Sequence, residues 1–148
     1  MKNKAITFLF CVMALLSCEN TKEISNTKEI SNNKVEGRII GFDPCNGGSD
    51  AQIENRGFVI VLNSTSDTLV TYNLPVKLFN FPKELFNGYL GIFLFPDAYK
   101  NKYNISFSFR YSTSSEKIYP VCSGLIYLAE YNKHVRDRQI IVDNVSLK

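Results

Sequence analysis

From residue 34 onward the chain reads as all-β: an antiparallel β-sandwich or a small β-barrel of about eight strands. Three observations predict this. Apolar residues alternate with polar ones or run in short blocks, the pattern of strands rather than of helices. Clusters of Gly, Pro, Asn, Asp and Ser separate the blocks at short intervals. Only one short stretch, after three strands, carries helix signals, an arrangement that also fits an OB-like barrel.

The first strand is expected at Val35 to Phe42, where Gly37 and Gly41 permit a bend or a close backbone approach. Asp43 to Arg56 is a polar, glycine-containing loop of fourteen residues. Gly57 to Asn63 follows, apolar on both faces from Phe58 to Leu62, as in a central strand. Ser64-Thr65-Ser66-Asp67 turns the chain into Thr68 to Leu74, with Val70, Tyr72 and Leu74 on one face. The short connection makes these two strands a hairpin. Pro82 opens a single helical turn over Lys83 to Phe86, stopped by Asn87-Gly88.

Tyr89 to Phe95 reads as another strand, broken by Pro96 to Asn101. The cleanest alternation follows: Tyr103, Ile105, Phe107, Phe109 and Tyr111 on one face, Asn104, Ser106, Ser108 and Arg110 on the other, a half-buried antiparallel strand. Ser112 to Glu116 is a turn. Lys117 to Val121 and Leu125 to Tyr131 are expected as strands, Asn132 to Arg138 as a charged loop, and Gln139 to Leu147 as the closing strand.

The N-terminus is a different kind of segment. Lys2 and Lys4 precede twelve residues, Ala5 to Leu16, that are apolar except for Thr7. The run is too short for a bilayer core of about 30 Å, which takes roughly 20 residues. Followed by Leu15-Leu16-Ser17-Cys18, it resembles the type II signal peptide of a bacterial lipoprotein with its lipobox. That resemblance covers residues 1–18 alone. It implies that residues 1–17 are removed, that Cys18 is alkylated with a diacylglyceryl group, and that the protein is held to a membrane of the bacterial cell envelope. The outer membrane, on its periplasmic or outward face, is the expected location. Two or more acyl chains on one residue give stable anchoring, where one chain is marginal.

Residues 18–33 then form a tether. The hexapeptide Thr21-Lys22-Glu23-Ile24-Ser25-Asn26 repeats at Thr27 to Asn32, polar and with one Ile per unit, too little to fold. As a coil of about 16 residues it holds residues 34–148 on the order of 20 Å from the membrane. Loss of Lys2 and Lys4 lowers the formal charge from +3 to +1, so no electrostatic footprint of a nucleic-acid binder remains. Of four cysteines, Cys11 leaves with the leader and Cys18 carries lipid. Cys45 and Cys122, each beside turn residues, are the candidate disulfide in an oxidising compartment.

Chemistry-bearing residues are sparse. The sole histidine, His134, lies among Lys133, Arg136, Asp137 and Arg138, a solvated loop or an anion-binding turn. No nucleophile elbow, zinc-ligand helix or phosphate loop is present. Asp43, Asn46 and Asp50 lack the spacing of a calcium loop and are accounted for by turn formation. Asp67-Thr68-Leu69 is similar to a bacterial O-glycosylation acceptor. Aromatic residues crowd Phe79 to Tyr111, expected as sheet core, the alternative being exposed tyrosines as a platform for a sugar or peptide. No catalytic residue, metal site or cofactor is expected, and no enzymatic activity. The expected role is binding or structural, toward an envelope protein or glycan. A barrel carrying an apolar ligand among Phe93, Phe95, Phe107 and Phe109 is the alternative, and an enzyme the more remote one.

Overall fold

A computed structural model describes residues 33–44, 53–54, 56–85, 94–119, 129 and 131–148. Five strands form among them: β1 (Val35–Phe42), β2 (Phe58–Leu62), β3 (Thr68–Thr71), β4 (Asn104–Tyr111) and β5 (Gln139–Leu147). They close into a barrel in the order β1-β2-β3-β5-β4, with β4 returning to β1. The molecule is therefore all-β and a small barrel, and among the described residues neither a sandwich nor a set of eight strands is found. No helix among the described residues is long and apolar enough to cross a membrane.

Closure depends on β1 serving two partners. Gly37 and Arg38 pair with Leu62 and Val61 of β2 on one side and with Ile105 and Asn104 of β4 on the other. A β-carbon at Gly37 would lie 2.7 Å from the Val61 carbonyl oxygen and 3.3 Å from the Phe107 ring, so the expected close approach is real there. A register shift between Ile39 and Gly41 bends β1 further along. The β2–β3 hairpin forms as expected, with Phe58 opposite Thr71 and Val61 opposite Thr68.

The β3–β5 pairing is parallel and short, Val70 with Gln139 and Thr71 with Ile140. Asn73 lengthens it. Its amide donates to the Val142 carbonyl at 2.9 Å, and its side-chain oxygen accepts the Val142 N–H at 3.0 Å. A side chain thus stands in for the next rung of the ladder. The main chain has already turned away toward Pro75, which is why Leu74 joins the barrel interior and leaves the face of Val70 and Tyr72.

Inside the barrel Ile39, Phe58, Ile60, Leu69, Ile105, Phe107, Ile140 and Val142 are buried together. The connection from β3 to β4 contributes Leu74, Val76, Leu85 and Phe95 to the same core. Among its described residues it carries two 3-10 turns, Val76–Leu78 and Lys83–Leu85, the second where Pro82 predicts it. Phe81 stacks between the rings of Phe79 and Phe58, each 5.2 Å away, and meets Tyr103 at 4.6 Å. Each such ring removes about 150–250 Å² from water.

β4 is more deeply buried than its alternation predicts. Tyr103, Ile105 and Phe107 face inward, but Ser106 and Ser108 on the other face are buried too. Ser108 donates to the Asp143 carbonyl at 3.2 Å, which satisfies the hydroxyl.

The expected strands at 117–121 and 125–131 do not form where the chain is described. Residues 117–119 are irregular, and Ala129 and Tyr131 are helical. Ile118 is held by a side chain instead of a strand. The Gln139 amide group accepts the Ile118 N–H at 2.8 Å and donates to its carbonyl at 2.6 Å. The expected charged loop at 132–138 is a single π turn over Asn132–Arg136 with Val135 buried. Alternation misleads here because Tyr131 and Val135 stand four apart, the spacing that puts two residues on one helical face. Of the expected strand Tyr89 to Phe95, only Leu94 and Phe95 are described; Leu94 bridges Gly41, and the Phe95 N–H bonds the Ile40 carbonyl.

Candidate functional site

Outside the barrel, β2 and β3 present Val59, Val70 and Tyr72 to the helical turn that precedes β5. Tyr131 and Val135 cover them and are 1 % exposed. Asp43, at the end of β1, is fully buried in the same layer, and its N–H donates to the Gly57 carbonyl at 2.6 Å. The Tyr72 hydroxyl donates to the Asp43 carboxylate at 2.5 Å, and the Tyr131 hydroxyl lies 3.2 Å from that of Tyr72. Burial first, and the nearby Asp43 charge second, push the Tyr131 phenol far above its ordinary range. It stays protonated at any physiological pH. A β-carbon at Gly57 would come within 2.5 Å of the Tyr72 ring, so only glycine lets that ring lie over this corner. Two phenols around one buried carboxylate bind the turn to the barrel.

Arg56 beside this cluster is buried, with its guanidinium 5.0 Å from the Phe42 ring centroid. His134 is exposed on the π turn. Arg136 and Arg138 do not gather around it. Arg136 lies over the Tyr119 ring at 5.0 Å and donates to Asn132, whereas Arg138 pairs with Asp67 at 3.2 Å. Among the described residues no group of His, Cys, Asp and Glu is placed to hold a metal ion. Cys18, Cys45, Cys122, Asn46, Asp50 and Phe93 lie outside the described residues. Thr68 is half-buried at the start of β3, where it pairs with Val61.

Among the described residues two grooves open on the outside of the barrel. One, of about 460 Å³, is floored by Ile40, Val61 and Leu94 and rimmed by Arg38, Asp97, Lys100 and Asn101. Its rim is internally paired: Arg38 donates to Asn101 at 3.3 Å, and Lys100 meets Asp97 at 2.7 Å. The other, of about 510 Å³, is lined by Asn80, Pro82, Tyr99, Lys102 and Tyr103. Both are open to solvent rather than enclosed. The sequence points to this second groove only through the density of aromatics. Asn80 and Pro82 come to face Tyr99 and Tyr103 because the two 3-10 turns fold their connection back over the mouth of the barrel.

Comparison of the chain with family models, with curated proteins and with solved structures finds no significant match.

Proposed function

We propose that this protein is a lipid-anchored component of a bacterial cell envelope whose barrel acts by binding rather than by catalysis. The observation that carries the binding role is the contrast between a barrel interior packed ring against ring and open grooves outside it. Phe95 and Phe107 make those ring contacts, at 5.9 Å to Phe42 and to Phe109. Such packing favours this reading over an apolar-ligand carrier. An exposed His134, and an Asp43 carboxylate already engaged by phenol, favour it over an enzyme. Anchoring supplies the mechanism, since a tethered domain meets neighbours at a raised effective concentration. The partner is an envelope protein or a glycan.

The barrel itself we take as OB-like, on the strength of its five strands, their order and the parallel β3–β5 pair. OB barrels use the β2–β3 face for oligonucleotides and oligosaccharides. Here Tyr131 and Val135 occupy that face, so binding is referred to the grooves elsewhere.

One mass measurement on protein purified from its native membrane tests the anchor and the cysteine pair together. The expected N-terminal peptide begins at Cys18 and carries diacylglyceryl mass, and Cys45 and Cys122 resist alkylation until reduced. Cys18→Ala is expected to abolish acylation and processing. An unacylated N-terminus would overturn the anchor, and two freely alkylated thiols would overturn the disulfide. In the chain-entropy description such a bridge stabilises by about 3–5 kcal/mol.

A further inference from the structure

We propose that the groove between residues 80–82 and 99–103 is a binding site for a saccharide bearing a carboxylate. The inference rests on the binding role above and gives it a ligand class.

Among the described residues four polar side chains line this groove, and none of them is hydrogen-bonded to another described residue. The Asn80 amide, the Tyr99 and Tyr103 hydroxyls and the Lys102 ammonium have no hydrogen-bond partner among the described residues. Tyr103 is only 8 % exposed, yet no buried polar atom among the described residues lacks a partner. The exposed part of Tyr103 therefore includes its hydroxyl. Two other polar clusters contrast with it. Tyr72 and Tyr131 are turned onto Asp43, and the rim of the first groove is paired within itself.

The walls are fixed before any ligand arrives. Tyr103 is packed against Phe81 and Phe95, and Phe81 is clamped by Phe79 and Phe58. The Tyr99 N–H bonds the Pro96 carbonyl at 2.8 Å, and the Lys102 N–H bonds the Tyr99 carbonyl at 3.1 Å. Lys102 lies over the Tyr99 ring, its nitrogen 4.6 Å from the centroid, which places the charge beside the aromatic surface. Preorganisation of this kind lowers the ordering cost of binding.

Chemistry selects the ligand. Burial holds the Tyr103 phenol above its ordinary range, so its hydroxyl is neutral and both donates and accepts. Tyr99 and Asn80 also offer both functions, which suits vicinal hydroxyls, each a donor and an acceptor. Tyr99 and Pro82 add the flat apolar surface that the C–H face of a pyranose covers. Among the described residues Lys102 is the one cation in the lining, enough for a single carboxylate and too little to neutralise a phosphate chain.

The test uses the mature full-length protein in detergent on an array of uronate- and sialic-acid-containing oligosaccharides. Neutral maltohexaose, chitohexaose and single-stranded oligothymidylate serve as comparators. Binding of a carboxylate-bearing saccharide is expected. Tyr99→Ala is expected to weaken it about tenfold, the loss of one aromatic contact. Lys102→Gln should erase the preference for acidic over neutral sugar together with its salt dependence. Tyr99→Phe keeps the ring and the fold and is expected to weaken binding by about threefold, one modest hydrogen bond. If Tyr99→Ala fails to fold, the last two variants decide. No acidic saccharide bound, binding unmoved by Lys102→Gln and Tyr99→Phe, or oligothymidylate bound more tightly than any sugar would each overturn the proposal. Acylation of Cys18 is measured separately, so anchor and ligand stand or fall independently.

Discussion

Inside the barrel, Phe58, Ile60, Leu69, Ile105 and Phe107 are buried in one hydrophobic cluster. On its outer face Val59 and Val70 meet Tyr131 and Val135, and the same layer encloses Asp43 with two phenols around it. Both layers have a buried centre, although Tyr72 in the outer one is half-buried, but they are held differently. The interior is non-directional, so its energy follows area and volume, and shapes of similar size exchange at modest cost. The outer layer is directional. Its carboxylate stays buried only while hydrogen-bonded, and removal of one donor leaves a desolvated charge behind. A barrel of this size thus uses hydrocarbon to close its strands on one another and a polar latch to dock a turn in one place.

The comparison can be broken first at its apolar side. Phe107 is fully buried between β1 and β4, and its ring lies against Phe109 and the Gly37 backbone. Phe107→Ala leaves a cavity that the closed barrel has little freedom to collapse. A loss of about 3–5 kcal/mol is expected in urea unfolding. A loss below about 1 kcal/mol would show that the interior is not the packed core described.

A subtler substitution separates the two layers. Ile60→Val removes one methyl group from the interior and is expected to cost about 0.5–1.5 kcal/mol. Tyr72→Phe removes one oxygen from the outer layer, changes its volume less, and is expected to cost about 1.5–3 kcal/mol because the lost bond is to a carboxylate. Unfolding midpoints of the two variants measured side by side check the order. If Tyr72→Phe is the milder change, Asp43 is satisfied without its phenol and the latch is not directional.

The difference between the layers also explains what the sequence shows of each. The interior is written in local pattern. β1 and β5 fall at Val35–Phe42 and Gln139–Leu147, the bounds that alternation and turn residues predict. The β2–β3 hairpin is legible for the same reason. The outer layer and the joins between segments depend on contacts across long separations that no local pattern encodes: Asp43 with Tyr72 and Tyr72 with Tyr131 in that layer, Asn73 with Val142 and Gln139 with Ile118 beside β5. Two of those contacts replace backbone rungs with side-chain amides, so a segment such as Ile118 with strand-like composition is anchored without being a strand. Counting every alternating block as a strand therefore overshoots: about eight are expected, and five form among the described residues. The groove at Tyr99 is half legible. Its aromatics stand out in the chain, but Asn80 and Pro82 reach it only through the folded connection between β3 and β4.

A carboxylate at the solvent boundary marks the weak end of this scale. Glu116 closes the turn after β4. Both its oxygens meet the Arg110 guanidinium, at 2.5 and 2.7 Å, and it accepts the N–H and hydroxyl of Thr113, each at 2.9 Å. These bonds, Arg110 foremost, hold its pKa down to about 2 from an ordinary 4.5. The sign follows from linkage. Above about pH 4.5 folded and unfolded chains both carry the charge, and its contribution to stability is complete. As pH falls below 4.5 the unfolded chain takes up the proton while the folded chain does not, and the contribution fades until about pH 2. Water and salt screen this pair as they cannot screen Asp43, so the effect is expected to be the smallest of the four and to shrink at high salt. Carboxyl NMR titration of the intact protein checks it: Glu116 is expected to titrate near 2, and in Arg110→Gln to return toward 4.5. An ordinary value in the unsubstituted protein would show that the paired geometry does not persist in solution. Directional contacts in this molecule would then hold only where burial enforces them.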